Sequence, residues 1–336
     1  MGCEEIFLKL LAHRSKTPVQ SFGRAFAPSN IALCKYWGKR NIELNLPITS
    51  SLSVSLNNKG ALAKISLSSN QQHELIVNHQ SLDSEVAPAK RLLSFLDEFH
   101  FLVPKAYRLE LDFNIPLAAG LASSASAYAA IIKAFDDFFG WQLDGKSLSI
   151  LARLGSGSAC RSIFDGFVEW LRGNNPDGMD SYAKPIKAIW PELSIGLCII
   201  TKQQKAVSSR EGMKRTVTTS ALYSAWSEKS NYDLSLLKKA IVEKDFNLLG
   251  QTAESNALAM HATMLAAWPP LLYSSPETIA WVKKVWELRE NGLVLYFTQD
   301  AGPNIKLLFL KPEAEKVKQH FPYVEIIYPF ENSHDK

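Results

Sequence analysis

The strongest constraint on the fold lies between Tyr107 and Phe139. Tyr107, Leu109, Leu111 and Phe113 alternate with Arg108, Glu110 and Asp112, the period of a strand with one buried face. The alternation stops at Asn114-Ile115-Pro116. A loop of small residues follows, Leu117-Ala118-Ala119-Gly120-Leu121-Ala122-Ser123-Ser124, and then an Ala-rich helix over 123–139. Small residues let backbone approach a ligand closely, and a helix start offers free N–H groups at a positive dipole end. Together they make an anion cradle suited to a nucleotide triphosphate. The loop lacks the Lys of a Walker A motif and the spacing of a dinucleotide fingerprint. The plainer reading is a helix start packed tightly through small residues.

At 336 residues, 46% hydrophobic and 21% charged, the chain has the make-up of a globular enzyme of one large or two medium domains. A net charge of +4 suits small anionic substrates and is too diffuse to argue for nucleic acid. Cys3, Cys34, Cys160 and Cys198 are widely spaced, as reduced cytoplasmic thiols would be. The first residues carry acids where a signal peptide wants bases, and no stretch reaches the apolar length of a membrane span.

The pattern predicts strands at 24–28, 51–56, 61–68, 73–78, 106–114 and 193–201, with helices at 87–99, 123–139, 146–154 and 158–171. Beyond Thr201 helical periodicity dominates 211–268 and 276–290, followed by strands 293–298, 306–310 and 323–328 around a helix at 312–320. The organisation expected is an N-terminal extension over 1–20, a first domain over 21–201, a second α+β domain over 202–330 and a tail over 331–336.

A second motif is Ala27-Pro-Ser-Asn30-Ile-Ala-Leu-Cys-Lys35-Tyr36-Trp37-Gly38-Lys39-Arg40, followed by Asn45-Leu-Pro47-Ile-Thr-Ser50-Ser51-Leu-Ser53; its three cations interleave with two aromatics at a Gly turn. That suits a phosphate-rich ligand, although Lys-x-x-x-Lys-Arg is also common on solvated faces. Three further segments are Gly155-Ser156-Gly157-Ser158-Ala159-Cys160-Arg161-Ser162, Ser208-Ser209-Arg210-Glu211-Gly212-Met213 and Asp300-Ala301-Gly302-Pro303-Asn304. Together with Asp177-Gly178-Met179-Asp180-Ser181 and the loop Pro116-x3-Gly120-Leu121-x-Ser123-Ser124, they resemble the signatures of the mevalonate diphosphate decarboxylase family of the GHMP kinase superfamily. The resemblance runs from about residue 24 to 328.

The resemblance implies a two-domain α+β fold of GHMP kinase type, with a ribosomal protein S5 domain 2-like N-terminal domain and a ferredoxin-like C-terminal domain. The active site would lie in the cleft between them. It implies ATP as co-substrate with magnesium, and ATP-dependent decarboxylation of 5-diphosphomevalonate to isopentenyl diphosphate. Asp300 would act as the carboxylate near C3, as base, cation stabiliser or both. Arg161 would hold the substrate carboxylate, with Lys35 and Asn30 beside the reacting centre. Tyr36, Trp37, Gly38, Lys39, Ser156, Gly157, Ser158, Ser209 and Arg210 would bind the rest of the substrate. Ala119, Gly120, Leu121, Ala122, Ser123, Ser124 and Ser126 would cradle ATP, with Ser124 also nearest its metal. It further implies a cytoplasmic homodimer with small-molecule substrates and neither nucleic-acid nor membrane partners.

Read without the resemblance, Asp300 is a turn-former, and Arg161 pairs with Asp165 at i, i+4 on an exposed helix. Leu117 replaces the Thr that more often follows the loop proline, and Arg210 replaces a smaller polar residue common in eukaryotic members. The alternatives are a phosphomevalonate decarboxylase, a mevalonate-3-kinase relative, or a non-catalytic nucleotide-binding protein. No His motif for a metal is visible, and His261 and the Asp136–Asp137 pair read as packing and solvated surface.

Overall fold

The computed structural model describes residues 2–103, 105–115, 123–201 and 205–331. The first lobe contains α1 (Cys3–Leu11), β1 (Gly23–Cys34), the small hairpin β2 (Lys39–Asn41) and β3 (Leu46–Pro47), β4 (Ser51–Leu67), β5 (Glu74–Val77), β6 (Gln80–Ser81), α2 (Ala87–Asp97), β7 (Tyr107–Phe113), α3 (Ser123–Phe139), α4 (Gly145–Gly155), a 3-10 segment (Gly157–Ile163), β8 (Phe167–Trp170) and β9 (Ala183–Pro185). The second contains β10 (Leu193–Cys198), α5 (Ser209–Thr219), α6 (Tyr223–Glu243), α7 (Phe246–Leu265), α8 (Pro276–Glu290), β11 (Tyr296–Gln299), β12 (Ile305–Leu310), a 3-10 turn (Lys311–Glu313), α9 (Ala314–His320) and β13 (Glu325–Ile327).

The first sheet is organised by β4. One of its edges pairs with β1 from Leu52 to Ile65, and the other is shared between β7 along Ala61–Leu67 and β8 along Ser51–Val54. The two strands expected at 51–56 and 61–68 are thus one, and the strand expected at 24–28 runs on to Cys34. That extension delivers Lys35 to the end of a sheet strand. Gly60 is obligatory there, because a Cβ would stand 2.1 Å from the Ala27 carbonyl oxygen. Helix α3 lies on β1 and β4, where its alanines permit close approach; Ala125, Ala129, Ala130 and Ala134 are fully buried.

Residues 158–171 do not form the expected helix. The chain makes a 3-10 segment, turns at Gly166 with φ +69°, and enters β8. Phe167-Val-Glu-Trp170 is buried on both faces, so it shows no alternation and its apolar run reads equally well as helix. The 1–20 segment is likewise more than an extension: Ile6, Phe7 and Leu11 are fully buried, and Phe7 packs edge-on against Phe99 at 4.9 Å.

The second sheet has the order β11-β12-β10-β13, with β12 and β13 both antiparallel to the β10 strand between them. This is a β-α-β-β-α-β chain with a split crossover, the ferredoxin-like arrangement. Its first strand is β10, which the sequence reading assigned to the first domain. An apolar run buried throughout carries no mark of which sheet it joins.

One apolar cluster is common to both lobes, joining Ile31, Leu33, Leu52 and Val54 to Leu193, Ile195, Leu237 and Leu249. The segment after β1 is gripped by second-lobe helices. The Lys35 N–H donates to Asn256 Oδ1 at 2.8 Å, and Tyr223 Oη donates to the Trp37 carbonyl at 2.6 Å. At Gly38, with φ +127°, a Cβ would meet Tyr223 Oη at 1.8 Å. Among the described residues, no helix is long and apolar enough to cross a membrane.

Candidate active site

A cavity of about 420 Å³ lies between the lobes. The first lobe contributes Asn30, Lys35, Tyr36, Trp37 and Lys39 from the end of β1 and the following turn. It adds Ser124 from the first turn of α3, and Ser156, Gly157, Ser158 and Arg161 from the α4 end and 3-10 segment. The second lobe contributes Ser208, Ser209 and Arg210 at the start of α5, Met260, and Asp300 to Pro303 after β11. Motifs far apart in the chain therefore meet; Lys35 and Asp300, in direct contact, are 265 residues apart.

Asp300 is the one carboxylate among the described lining residues. Lys35 Nζ meets its Oδ1 at 2.8 Å and Lys306 Nζ its Oδ2 at 3.0 Å. The two lysine side chains are 2% and 1% exposed and Asp300 27%. Burial works to raise the Asp300 carboxyl, but the two ammonium groups and their hydrogen bonds outweigh it and hold the acid well below the usual carboxylate range. Burial lowers the Lys35 ammonium, with Asp300 opposing. Behind the carboxylate, His261 Nε2 lies 3.1 Å from the Asp300 carbonyl oxygen, and burial lowers its imidazole to about 4, so it is neutral near pH 7.

Arg161 is buried, not surface-exposed, and lies in the 3-10 segment, so it has no helix pair with Asp165. Its Nε and Nη2 donate to Asn30 Oδ1 at 3.3 and 3.2 Å, its Nη1 donates to Ser51 Oγ, and its guanidinium stands 5.9 Å from the Trp170 ring centroid. Asn30 Nδ2 donates in turn to Ser162 Oγ at 2.8 Å. Neutral groups hold the guanidinium, and no carboxylate among the described residues pairs with it. A buried charge left in that condition favours an incoming anion.

The remaining cations collect on the same side. Lys39 is lowered to about 8, first by burial and then by Arg210. Tyr36 Oη is buried with no hydrogen-bond partner among the described residues, and a Cβ at Gly157 would stand 2.7 Å from it. Lys205 Nζ reaches Ser209 Oγ at 2.6 Å and the Ala301 carbonyl at 2.9 Å.

Some expected residues lie elsewhere. Ala119, Gly120, Leu121 and Ala122 fall outside the described residues, and Ser123 is described only as the start of α3. Ser126 is fully buried under the helix and accepts from Ser29 Oγ at 3.2 Å, away from the cavity lining. Gly38 shapes the turn against Tyr223 and is not part of the lining. Asp136 is half-buried and accepts from the Leu143 N–H, whereas Asp137 is exposed as expected and accepts from the Arg24 N–H at the start of β1. Arg91, Tyr128, Lys205, Lys306 and Asn256 carry no motif in the sequence, and Asn45 lies in the signature stretch after Arg40 with no role assigned to it. Lys306 had a signal, a lysine inside the apolar strand Ile305-Lys-Leu-Leu-Phe-Leu.

One His/Asp group outside the cavity gathers only in space. His73, Asp97 and His100 bring their ligand atoms within 4.8 Å. The Tyr107 N–H donates to His73 Nδ1 at 2.9 Å, which leaves the ring proton on Nε2 facing Asp97 at 3.2 Å. That tautomer has no lone pair to offer a metal.

The family model described as "Diphosphomevalonate decarboxylase-like N-terminal domain" matches residues 27–183, and "Mevalonate 5-diphosphate decarboxylase C-terminal domain" matches 195–336. The chain belongs to the diphosphomevalonate decarboxylase family. It is 35% identical to the diphosphomevalonate decarboxylase of Candida albicans over 89% of this chain and 88% of the relative. With that of Aspergillus fumigatus it shares 35% identity over 87% and 77%. The mevalonate diphosphate decarboxylase structure from Staphylococcus aureus superposes with a TM-score of 0.86 at 36% identity, covering 92% of this chain and 95% of that one. A second structure, described as a complex with MVAPP, AMPPCP and magnesium, gives 0.85 at 39% identity over 92% and 97%. The two-domain fold is that of these relatives, and the chain is a decarboxylase of this family.

Proposed function

We propose that this cavity carries out ATP-dependent decarboxylation of (R)-5-diphosphomevalonate to isopentenyl diphosphate, releasing ADP, phosphate and carbon dioxide. The reading rests above all on one observation: Asp300, held between two lysines, and a buried Arg161 with no carboxylate partner among the described residues line the same cavity. Phosphorylation turns the C3 hydroxyl into a leaving phosphate. As the C3–O bond breaks, its electron pair departs with phosphate, and the C1–C2 pair becomes the C2=C3 bond while carbon dioxide is released.

Arg161 anchors the C1 carboxylate through its fork of donors, held in place by Asn30 and Ser51. Asp300 keeps a negative charge beside C3 as that carbon becomes positive. Lys35 and Lys306 hold this acid in its charged form, which suits electrostatic stabilisation of the developing cation. Lys35 also offers a cation to the phosphate that is transferred and then lost. Tyr36, Lys39, Ser209 and Arg210 bind the 5-diphosphate, Trp37 walls that end, and Ser156, Gly157 and Ser158 border the substrate.

ATP enters over the start of α3, where Ser124 faces Ser156 Oγ at 3.4 Å. The donor set fits magnesium carried by the nucleotide, since Asp300 is occupied by two lysines and Ser124 supplies a hydroxyl. When bound, that ion neutralises charge on the phosphates. We place the enzyme in the cytoplasm, a reducing compartment that suits its four free cysteines, and as a homodimer, a reading supported by exposed Trp268 and Leu272. Sedimentation equilibrium checks the dimer. The activity is tested by incubation with ATP, magnesium and either the 5-monophosphate or the 5-diphosphate, following phosphate and carbon dioxide. Decarboxylation favouring the diphosphate is expected. Equal kcat/KM for the two would favour the monophosphate enzyme, and phosphate transfer without carbon dioxide the kinase.

A further inference from the structure

We infer that Asn45 is a positioning residue for the diphosphate end of the substrate, joining Lys39 to the end of α4; this rests on the proposed diphosphomevalonate reading. Asn45 closes the loop between β2 and β3, is 2% exposed, and has φ +52°, a left-handed backbone that Asn and Gly tolerate. Its Nδ2 donates to the Arg153 carbonyl at 2.9 Å and the Leu154 carbonyl at 2.8 Å. These are last-turn carbonyls of a helix, which lack partners within the helix itself.

With both amide hydrogens used there, the orientation of the side chain is settled. A flip would face its oxygen toward two carbonyls. Oδ1 therefore points to the other side, where it accepts from Lys39 Nζ. Lys39 has no carboxylate partner among the described residues, and Asn45 leaves its charge intact while fixing one of its three donors. The same α4 end runs directly into Gly155-Ser156-Gly157-Ser158, so one amide sets the position of the lysine relative to the serine-glycine loop. An aspartate would keep the acceptor, neutralise Lys39, and put a carboxylate against the two carbonyls. Glycine would keep the backbone and remove only the link.

The test uses Asn45→Gly and Asn45→Asp in the full chain, with steady-state kinetics and direct titration of inorganic pyrophosphate. Asn45→Gly is expected to raise KM for diphosphomevalonate about tenfold, with kcat and KM for ATP within about twofold, since it removes a hydrogen bond to a charged group. Pyrophosphate affinity is expected to fall by a similar factor, and Asn45→Asp to be worse than Asn45→Gly on both. A purely structural role would instead lower the melting temperature and affect both substrates alike. That result, or Asn45→Gly with KM and pyrophosphate affinity within twofold of wild type, overturns the inference. If wild type did not decarboxylate diphosphomevalonate yet pyrophosphate binding still fell in the order given, the functional reading would fail and the positioning role would stand.

Discussion

Lys35 and Lys39 stand four residues apart in one motif and meet opposite electrostatic surroundings. Lys35 is buried against Asp300 and held through its backbone by Asn256 from the other lobe. Lys39 faces an amide and a like charge, Asn45 and Arg210, and its ammonium falls to about 8. The first lysine belongs to a nearly self-contained charge group. The second keeps a charge that only a ligand can compensate. Identical residue types in one stretch thus meet different surroundings, and the proposed function gives them different work: one beside the reacting centre, the other on the diphosphate.

The sharpest way to break this contrast is at Asp300. Asp300→Asn should lower turnover by roughly three orders of magnitude or more while ATP binding, read by titration of a nucleotide analogue, is largely kept, because the lost charge acts mainly in the transition state. Retention of a tenth of wild-type turnover would remove Asp300 from the centre. The same variant leaves two buried ammonium groups without their carboxylate and should reduce stability by up to about 3–5 kcal/mol in denaturant melts.

Arg161→Gln comes next. Loss of the carboxylate anchor should reduce kcat by roughly two to three orders of magnitude. Asp165→Asn should leave turnover near wild type, because Asp165 is exposed and outside the 3-10 segment. Equal damage from both would show that the arginine acts through surface charge.

On the Lys39 side the effects should be smaller and confined to binding. Lys39→Ala and Arg210→Ala should each raise KM for the diphosphate substrate about 10- to 100-fold with KM for ATP nearly unchanged, the range for losing a charge-assisted contact. Comparable rises in both constants would erase the distinction between the lysines.

The mildest test is pH. The Lys39 ammonium is lowered, so above about pH 8 the folded protein holds fewer protons than the unfolded chain. Its contribution to stability therefore rises with pH from about 8 to the ordinary lysine value near 10.4, while affinity for the diphosphate falls over the lower part of that window. KM measured against pH should bend upward near pH 8. In Arg210→Ala, which removes a like charge, the bend should move to higher pH.

Much of this site was legible because the motifs are local. Asn30 to Lys39, Gly155 to Ser162 and Asp300 to Asn304 could each be read as a contiguous stretch, and α3 and α8 begin and end where periodicity and Pro276 put them. What could not be read depends on contacts distant in sequence. Nothing around residue 306 says that its lysine will face Asp300 across the end of a hairpin. Arg161 looked like a surface residue because a strand buried on both faces, β8, has the composition of a helix. Asn45 and Asn256 are ordinary residues in sequence and matter only through what their amides bridge. The strand β10 is legible as a strand, but the sheet it joins is not, since pairing partners are set by the whole chain.

The grip of Tyr223 and Asn256 on the segment Lys35–Gly38 affects how the molecule can move. A stretch of first-lobe chain bonded to second-lobe helices is a pivot and not a free lip, so the lobes cannot part along that side without losing both bonds. Opening for exchange of ligands must therefore keep this segment as its hinge. With an apolar cluster common to both lobes as well, neither unfolds alone, and heat should melt the chain in a single cooperative transition although it is built as two lobes.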